Sequence, residues 1–307
     1  MTSKRIVSFL PSATELLYEL GVGDQIVGVT HECNFPDDAK RKPHVIHSSF
    51  DPTTISSYEI DKKIVEFMQS GSDIYVIDEQ VLKKANPDLI VAQGLCEVCS
   101  PFTKEVNRAV SILDNKPSVV ILDPHNLDDT LASIIEIGKH VGKTKEAQNL
   151  VTLLQKRIDY VKSKSVKSRP KVLCVEWLDP LFTAGHWVPQ MVEMAGGING
   201  VSVVDKPSRR MKVEEAIEFD PDIVVLMPCG FDINRILEEY PKLASNKEWK
   251  SLKAVQNNTV YAVDANSYFS KPSPRTVTGL EILAKIIHPE TFGDLKIPDN
   301  SFVQIKS

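Results

Sequence analysis

Cysteine is scarce in this chain of 307 residues: there are five, an odd number that argues against the disulfide framework of a small secreted domain. No apolar run approaches the roughly 18 residues that a membrane-spanning helix needs. Positive charge is not in excess either. Lys and Arg number 36 against 41 Asp and Glu, a net charge of −5 that favours neither nucleic acid nor an anionic membrane as partner. The catalytic and nucleotide signatures G-x-S-x-G, G-x-G-x-x-G, the Walker loop and H-E-x-x-H are all missing. The first residues, Met1-Thr2-Ser3-Lys4-Arg5, run into the apolar stretch Ile6–Leu10, which Pro11 ends. That stretch is too short for a signal-peptide core, and the expectation is a cytoplasmic protein.

Hydrophobic content is 42%, enough for two compact cores. The longest periodic stretch runs from about Leu127 to Lys164, with Leu131, Ile134, Ile135, Ile137, Val141, Leu150, Leu153, Leu154, Ile158 and Val161 at helical spacing. Asp128 and Asp129 sit at its start, and Gly142-Lys143-Thr144 predicts a break into two abutting helices or one bent helix. Unbroken, it would span on the order of 50 Å, the length of a spine between domains. On each side strands alternate with helices, so the predicted fold is α/β with two Rossmann-like lobes. The N-terminal lobe is expected over 1–125, the spine over 126–165, and the C-terminal lobe with a closing helix over 166–307. The halves echo each other: Asn86-Pro87-Asp88-Leu89-Ile90-Val91 matches Asp220-Pro221-Asp222-Ile223-Val224-Val225, and Gly21 and Gly196-Gly197 each stop a first helix. Such repetition predicts two lobes facing across a cleft.

In open α/β sheets ligands sit beyond the carboxyl ends of strands. The loops there carry His31, Glu32, Cys33, Gln93, Cys96, Glu97, Cys99, Glu176, Asp179, His186 and Cys229, while Cys174 falls inside a strand. Around them lie the aromatics Phe35, Phe50, Trp177, Phe182, Trp187, Phe231, Tyr268 and Phe269, either partly buried core or a stacking surface for a ligand. His31, Cys33, Cys96 and Cys99 together make a Cys₃His set that zinc would accept, and reduced thiols lining a pocket are the plainer reading. A nucleophilic Cys–His pair from Cys33 with His31, or from a cysteine with His186, is a third. Arg209 and Arg210 would suit peripheral carboxylates or phosphate, or a solvated face.

Several motifs occur in a recognisable order: Leu10-Pro11-Ser12-Ala13-Thr14-Glu15, Pro87-Asp88-Leu89-Ile90-Val91-Ala92, Pro180-Leu181-Phe182-Thr183-Ala184-Gly185, Glu193-Met194-Ala195-Gly196-Gly197, and Phe269-Ser270-Lys271-Pro272-Ser273-Pro274-Arg275. Over about residues 5–288 the chain resembles the helical-backbone class of substrate-binding proteins, most nearly the vitamin B12-binding proteins of ABC importers. The resemblance implies a corrinoid or similar metal-containing cofactor held between two lobes that move little. Those proteins dock on a permease through one exposed glutamate per lobe. Here Glu214 occupies one such position, whereas Gln80, beside Glu79, occupies the other. The expectation is therefore a non-catalytic, cytosolic-looking binding protein for a small molecule, with zinc binding, redox chemistry or a Cys–His enzyme as the alternatives.

Overall fold

In the computed structural model, which describes residues 4–94 and 103–306, the short apolar runs become the strands of two six-stranded sheets. The first contains β1 (Ile6–Ser8), β2 (Ile26–Thr30), β3 (His44–Ser48), β4 (Tyr75–Ile77), β5 (Leu89–Gln93) and β6 (Ser118–Leu122), in the order β4-β3-β2-β1-β5-β6. Every neighbouring pair is parallel except β3–β4. The second contains β7 (Val172–Leu178), β8 (Leu181–Thr183), β9 (Arg209–Arg210), β10 (Ile223–Leu226), β11 (Val260–Val263) and β12 (Phe302–Ile305), ordered β12-β11-β10-β7-β8-β9. Its central pairs β7–β10 and β10–β11 are parallel and its outer pairs antiparallel. The central strands are largely apolar, as parallel strands covered on both faces are. Every residue of β5 and of β10 is buried.

The chain divides into two compact units. One takes in residues up to Ile55, Lys62–Pro124 and Asp128–Thr152; the other takes in Ser56–Asp61, His125–Leu127 and the chain from Leu153 onward. The core of the first unit gathers Val7, Phe9, Val45, Ile46, Ile90 and Ala92 from the strands with Leu82, Val106 and Ala109 from helices. In the second, Trp249, Val224, Val225, Leu280 and Leu283 are fully enclosed.

The repeated Pro-Asp turn has a common physical cause in both units. The helices Glu79–Ala85 and Val213–Phe219 each end on a left-handed residue, Asn86 at φ 39° and Asp220 at φ 50°. The aspartate two residues on then joins its strand to the neighbour: Asp88 accepts from the Arg5 amide at 2.9 Å, and Asp222 from the Lys171 amide at 2.8 Å. In each case the basic side chain at that position also caps the helix. Arg5 donates to the Ala85 carbonyl at 2.7 Å, and Lys171 to the Phe219 carbonyl at 3.0 Å. Cations at helix C-termini satisfy carbonyls that lack partners within the helix.

Asp222 also receives Lys253 Nζ at 2.5 Å, and this hydrogen bond, above all, holds its carboxyl below the usual carboxylate range. A folded-state pKa below the unfolded one contributes stability above the unfolded value and loses it as pH falls through the folded one. Asp222→Asn is therefore expected to cost about 1 kcal/mol at neutral pH. Urea titrations should show that deficit shrinking as pH drops from about 7 to about 3. A deficit independent of pH would show that the charge of Asp222 is not what matters.

The long periodic stretch is two helices, Leu127–His140 and Thr144–Ser163, with Gly142 between them at φ 70°. Gly138 permits their close approach, because a Cβ there would lie 2.4 Å from that of Ala147. Several pairings differ from the sequence expectation. The polar stretch before Asp51 contains β3, which pairs antiparallel with β4, and Leu181–Thr183 and Arg209–Arg210 extend the second sheet. The chain does not finish on the helix Thr276–Ile287: β12 follows and pairs with β11.

Candidate functional site

The second unit gathers most of the expected site residues around the end of β7. Trp177 is half-buried, and its Nε1–H donates to the Ser57 carbonyl at 3.1 Å. Its ring meets Phe231 edge-on at 5.2 Å, and the Arg235 guanidinium lies 3.8 Å from the centre of the Phe231 ring. Arg235 bonds Glu239, which in turn accepts from the Ser57 amide at 2.9 Å. These contacts close a ring, so the indole is held in one orientation from both its apolar and its polar ends. Ser57, Arg235 and Glu239 escaped the sequence reading because nothing local distinguishes them from an ordinary helix surface.

Beyond Trp177 the chain turns through Asp179-Pro180, a cis peptide, into β8. Asp179 is engaged by Lys242 at 2.5 Å, and Lys242 also lies 5.2 Å from the Tyr58 ring. Phe182 is half-buried beneath Arg210, whose Nη2 donates to both oxygens of Asp61, at 2.7 and 2.9 Å. Arg209 grips Glu215. Both arginines are thus committed to ion pairs with carboxylates of their own unit.

Gly185-His186-Trp187 forms the next corner. The Gly185 amide donates to Glu176 Oε2 at 3.0 Å, and the His186 amide to the Lys206 carbonyl at 2.6 Å. His186 has φ 53°, the left-handed region that a residue with a Cβ seldom occupies. Trp187 is enclosed, with its Nε1–H on the Phe269 carbonyl at 2.9 Å. Phe231 and Phe269 are likewise enclosed, whereas Cys229 and Tyr268 are half-buried. His125 faces His186 with ring centres 6.0 Å apart. It was legible by the strand-end rule: β6 ends at Leu122, and Asp123-Pro124-His125 is its exit loop.

In the first unit, Cys33 is part of the core. Thr14 Oγ1 donates to its sulfur at 3.1 Å, and burial pushes its thiol pKa up, which disfavours the thiolate that a ligand or nucleophile needs. His31 is half-buried, and burial lowers its pKa. Gln93 is enclosed at the end of β5. Phe50 stacks on Phe67 at 5.9 Å, and Phe35 is 42% exposed. Cys96, Glu97 and Cys99 lie outside the described residues. Among the described residues no group of three or more His, Cys, Asp or Glu side chains is arranged to hold a metal ion. Glu214 and Gln80 are both exposed, at the second position of their matching helices.

A family model described as "Periplasmic binding protein" matches residues 6–267. The chain is 26% identical over 298 residues to YvrC, an ABC transporter substrate-binding lipoprotein of Bacillus subtilis (strain 168), covering 94% of this chain and 81% of the relative. To the vitamin B12-binding protein of Vibrio cholerae serotype O1 it is 21% identical over 287 residues, covering 91% and 87%. Its fold matches that of a periplasmic heme-binding protein from Pseudomonas aeruginosa with a TM-score of 0.73 and 16% identity, covering 99% and 98%. These matches overturn the cytoplasmic expectation, and the cytosolic branch with it: the matched family is periplasmic, and the Bacillus relative is a lipoprotein.

Proposed function

We propose that this chain, which belongs to the periplasmic binding protein family, carries a large metal-bearing macrocycle of the corrinoid or heme kind. Members of this family bind solutes for ABC importers rather than catalyse reactions, and binding is the activity of this chain. The observation that carries the macrocycle reading is Trp177. It presents a half-buried indole at the carboxyl end of β7, held by the Ser57 carbonyl and the Phe231 ring, with the half-buried Phe182 on the adjoining strand. A flat ligand stacks on such preorganised aromatic surface without having to order it first. The vitamin B12-binding relative and the heme-binding structural neighbour support the same class. The docking residue of the second unit would be Glu214, exposed on its helix.

Titration with cobinamide, cyanocobalamin and hemin, followed by visible absorbance and tryptophan fluorescence, tests the reading. Binding well below ~100 μM is expected for at least one of them, since specific cofactor sites are normally much tighter. Trp177→Ala should weaken it on the order of 10-fold, as loss of a stacked aromatic anchor does. No saturable binding of any of the three by the wild-type protein would rule out the macrocycle.

A further inference from the structure

The chain enters the second unit at Ser56 and leaves it at Asp61, so this unit holds the opening turn of the helix Ser57–Ser70. That turn caps itself. Glu59 Oε2 accepts from the Ser56 amide at 2.9 Å and from the Ser56 hydroxyl at 2.8 Å, and the Glu59 amide donates back to Ser56 Oγ at 3.4 Å. This is a capping box, which keeps the turn helical without help from outside. The rest of the unit adds polar grips. Glu239 accepts from the Ser57 amide at 2.9 Å, Trp177 Nε1–H donates to the Ser57 carbonyl at 3.1 Å, and Arg210 donates to both oxygens of Asp61. Apolar anchorage is slight: Ser57 and Ile60 are the buried residues of this helix, and Tyr58 is 51% exposed.

We propose that Ser56–Asp61 is a clasp on the ligand site, which lifts as a preformed helical turn to admit the ligand and closes to pin Trp177 by its indole N–H. The identity of the ligand rests on the macrocycle reading above; the motion does not. The contacts that close the clasp are ones that water replaces at little cost. They are single hydrogen bonds and an ion pair whose Arg210 side chain is 57% exposed. Segments with few buried apolar contacts are the ones that open locally, whereas β10, buried at every residue, is not. Because the capping box lies within the segment, opening does not unwind it. The link to the ligand is direct, since the Ser57 carbonyl fixes the ring on which a flat ligand would stack. A ligand that binds the pinned ring better than the released one shifts the clasp toward closure.

The test reads the indole N–H groups of the three tryptophans by NMR of protein with isotope-labelled tryptophan. Trp187 and Trp249 are enclosed, with their Nε1–H groups on the Phe269 carbonyl and the Tyr240 hydroxyl, and serve as internal controls. Without ligand, Trp177 Nε1–H should exchange with water about 100-fold faster than that of Trp187. Asp61→Asn should speed this exchange a further 2- to 5-fold or about that, although the change is made at the other end of the segment. About 0.5 M NaCl should do the same to the wild type and add nothing in Asp61→Asn. In stopped-flow titrations with cobinamide, Asp61→Asn should raise the association and dissociation rates together by about 2- to 5-fold, as loosening a gate does. Trp177 exchange that ignores both the substitution and the salt overturns the clasp, whatever the ligand proves to be. Equal acceleration at all three indoles also overturns it, because that is general destabilisation. Failure of the wild-type protein to bind cobinamide, cyanocobalamin and hemin alike overturns the macrocycle reading and leaves indole exchange to decide the clasp.

Discussion

Gly185→Ala should lower stability by about 3 kcal/mol and abolish saturable macrocycle binding. A Cβ at this position would lie 2.2 Å from the Ser208 amide nitrogen, 2.5 Å from the Pro207 carbonyl carbon and 2.8 Å from the Lys206 carbonyl oxygen. All three are backbone atoms, so no side-chain rotation relieves the clash. The two segments must separate, and the hydrogen bonds of the Gly185 amide to Glu176 and of the His186 amide to Lys206 go with them. Overpacking commonly costs about 1–3 kcal/mol, and each lost hydrogen bond adds about 1. For a unit of this size the melting temperature should fall by roughly 6–12 °C. Thermal unfolding followed by circular dichroism, together with the cobinamide titration, checks both halves. A variant that melts with the wild type and binds equally well would show that the corner is not built as described.

The second large effect is expected at the ion pair between the helices Thr144–Ser163 and Thr276–Ile287. Arg157 donates to both Glu281 oxygens, at 2.9 and 2.6 Å, and to Thr278 Oγ1 at 2.8 Å. Glu281 is enclosed, while the Arg157 side chain is 32% exposed. Removing one partner of a fully buried pair costs about 3–5 kcal/mol, because the remaining charge stays desolvated. Access of water to Arg157 brings the expectation for Glu281→Ala to about 2–3 kcal/mol. The double variant Arg157→Met with Glu281→Leu should recover much of that loss, since it leaves no unpaired charge and restores apolar packing. Chemical denaturation of the three proteins decides. If the double variant is as unstable as the single one, the pair itself stabilises the fold. By contrast, removing Lys104, which pairs with Asp73 on the surface, should leave the denaturation midpoint close to that of the wild type.

Much of the architecture was legible because it is locally encoded. Helical periodicity marked the stretch 127–164, and Gly142 marked its break to within a residue. The matching Pro-Asp turns disclosed the internal repeat, because each places one residue in the left-handed region and one carboxylate on a neighbouring strand start. The strand-end rule likewise brought Trp177, Asp179, Phe182, His186 and Cys229 into one region of the second unit.

What only the tertiary structure decided is everything that depends on partners distant in sequence. β3 and β9 carry no hydrophobic alternation of their own and are held by pairing, β3 with β2 and β4, β9 with β8. Cys33, Trp187, Phe231 and Phe269 look like loop residues in sequence, yet each is enclosed, because burial is fixed by what packs over a side chain. Arg209 and Arg210 read as free cations until Glu215 and Asp61 are found within reach. The cytoplasmic expectation rested on the first residues alone, and the periplasmic family and the lipoprotein relative overturn it. The sequence by itself determined the alternation of strands and helices and the break in the long helical stretch. That the rings of His125 and His186 lie beside each other was set by packing across 60 residues of intervening chain.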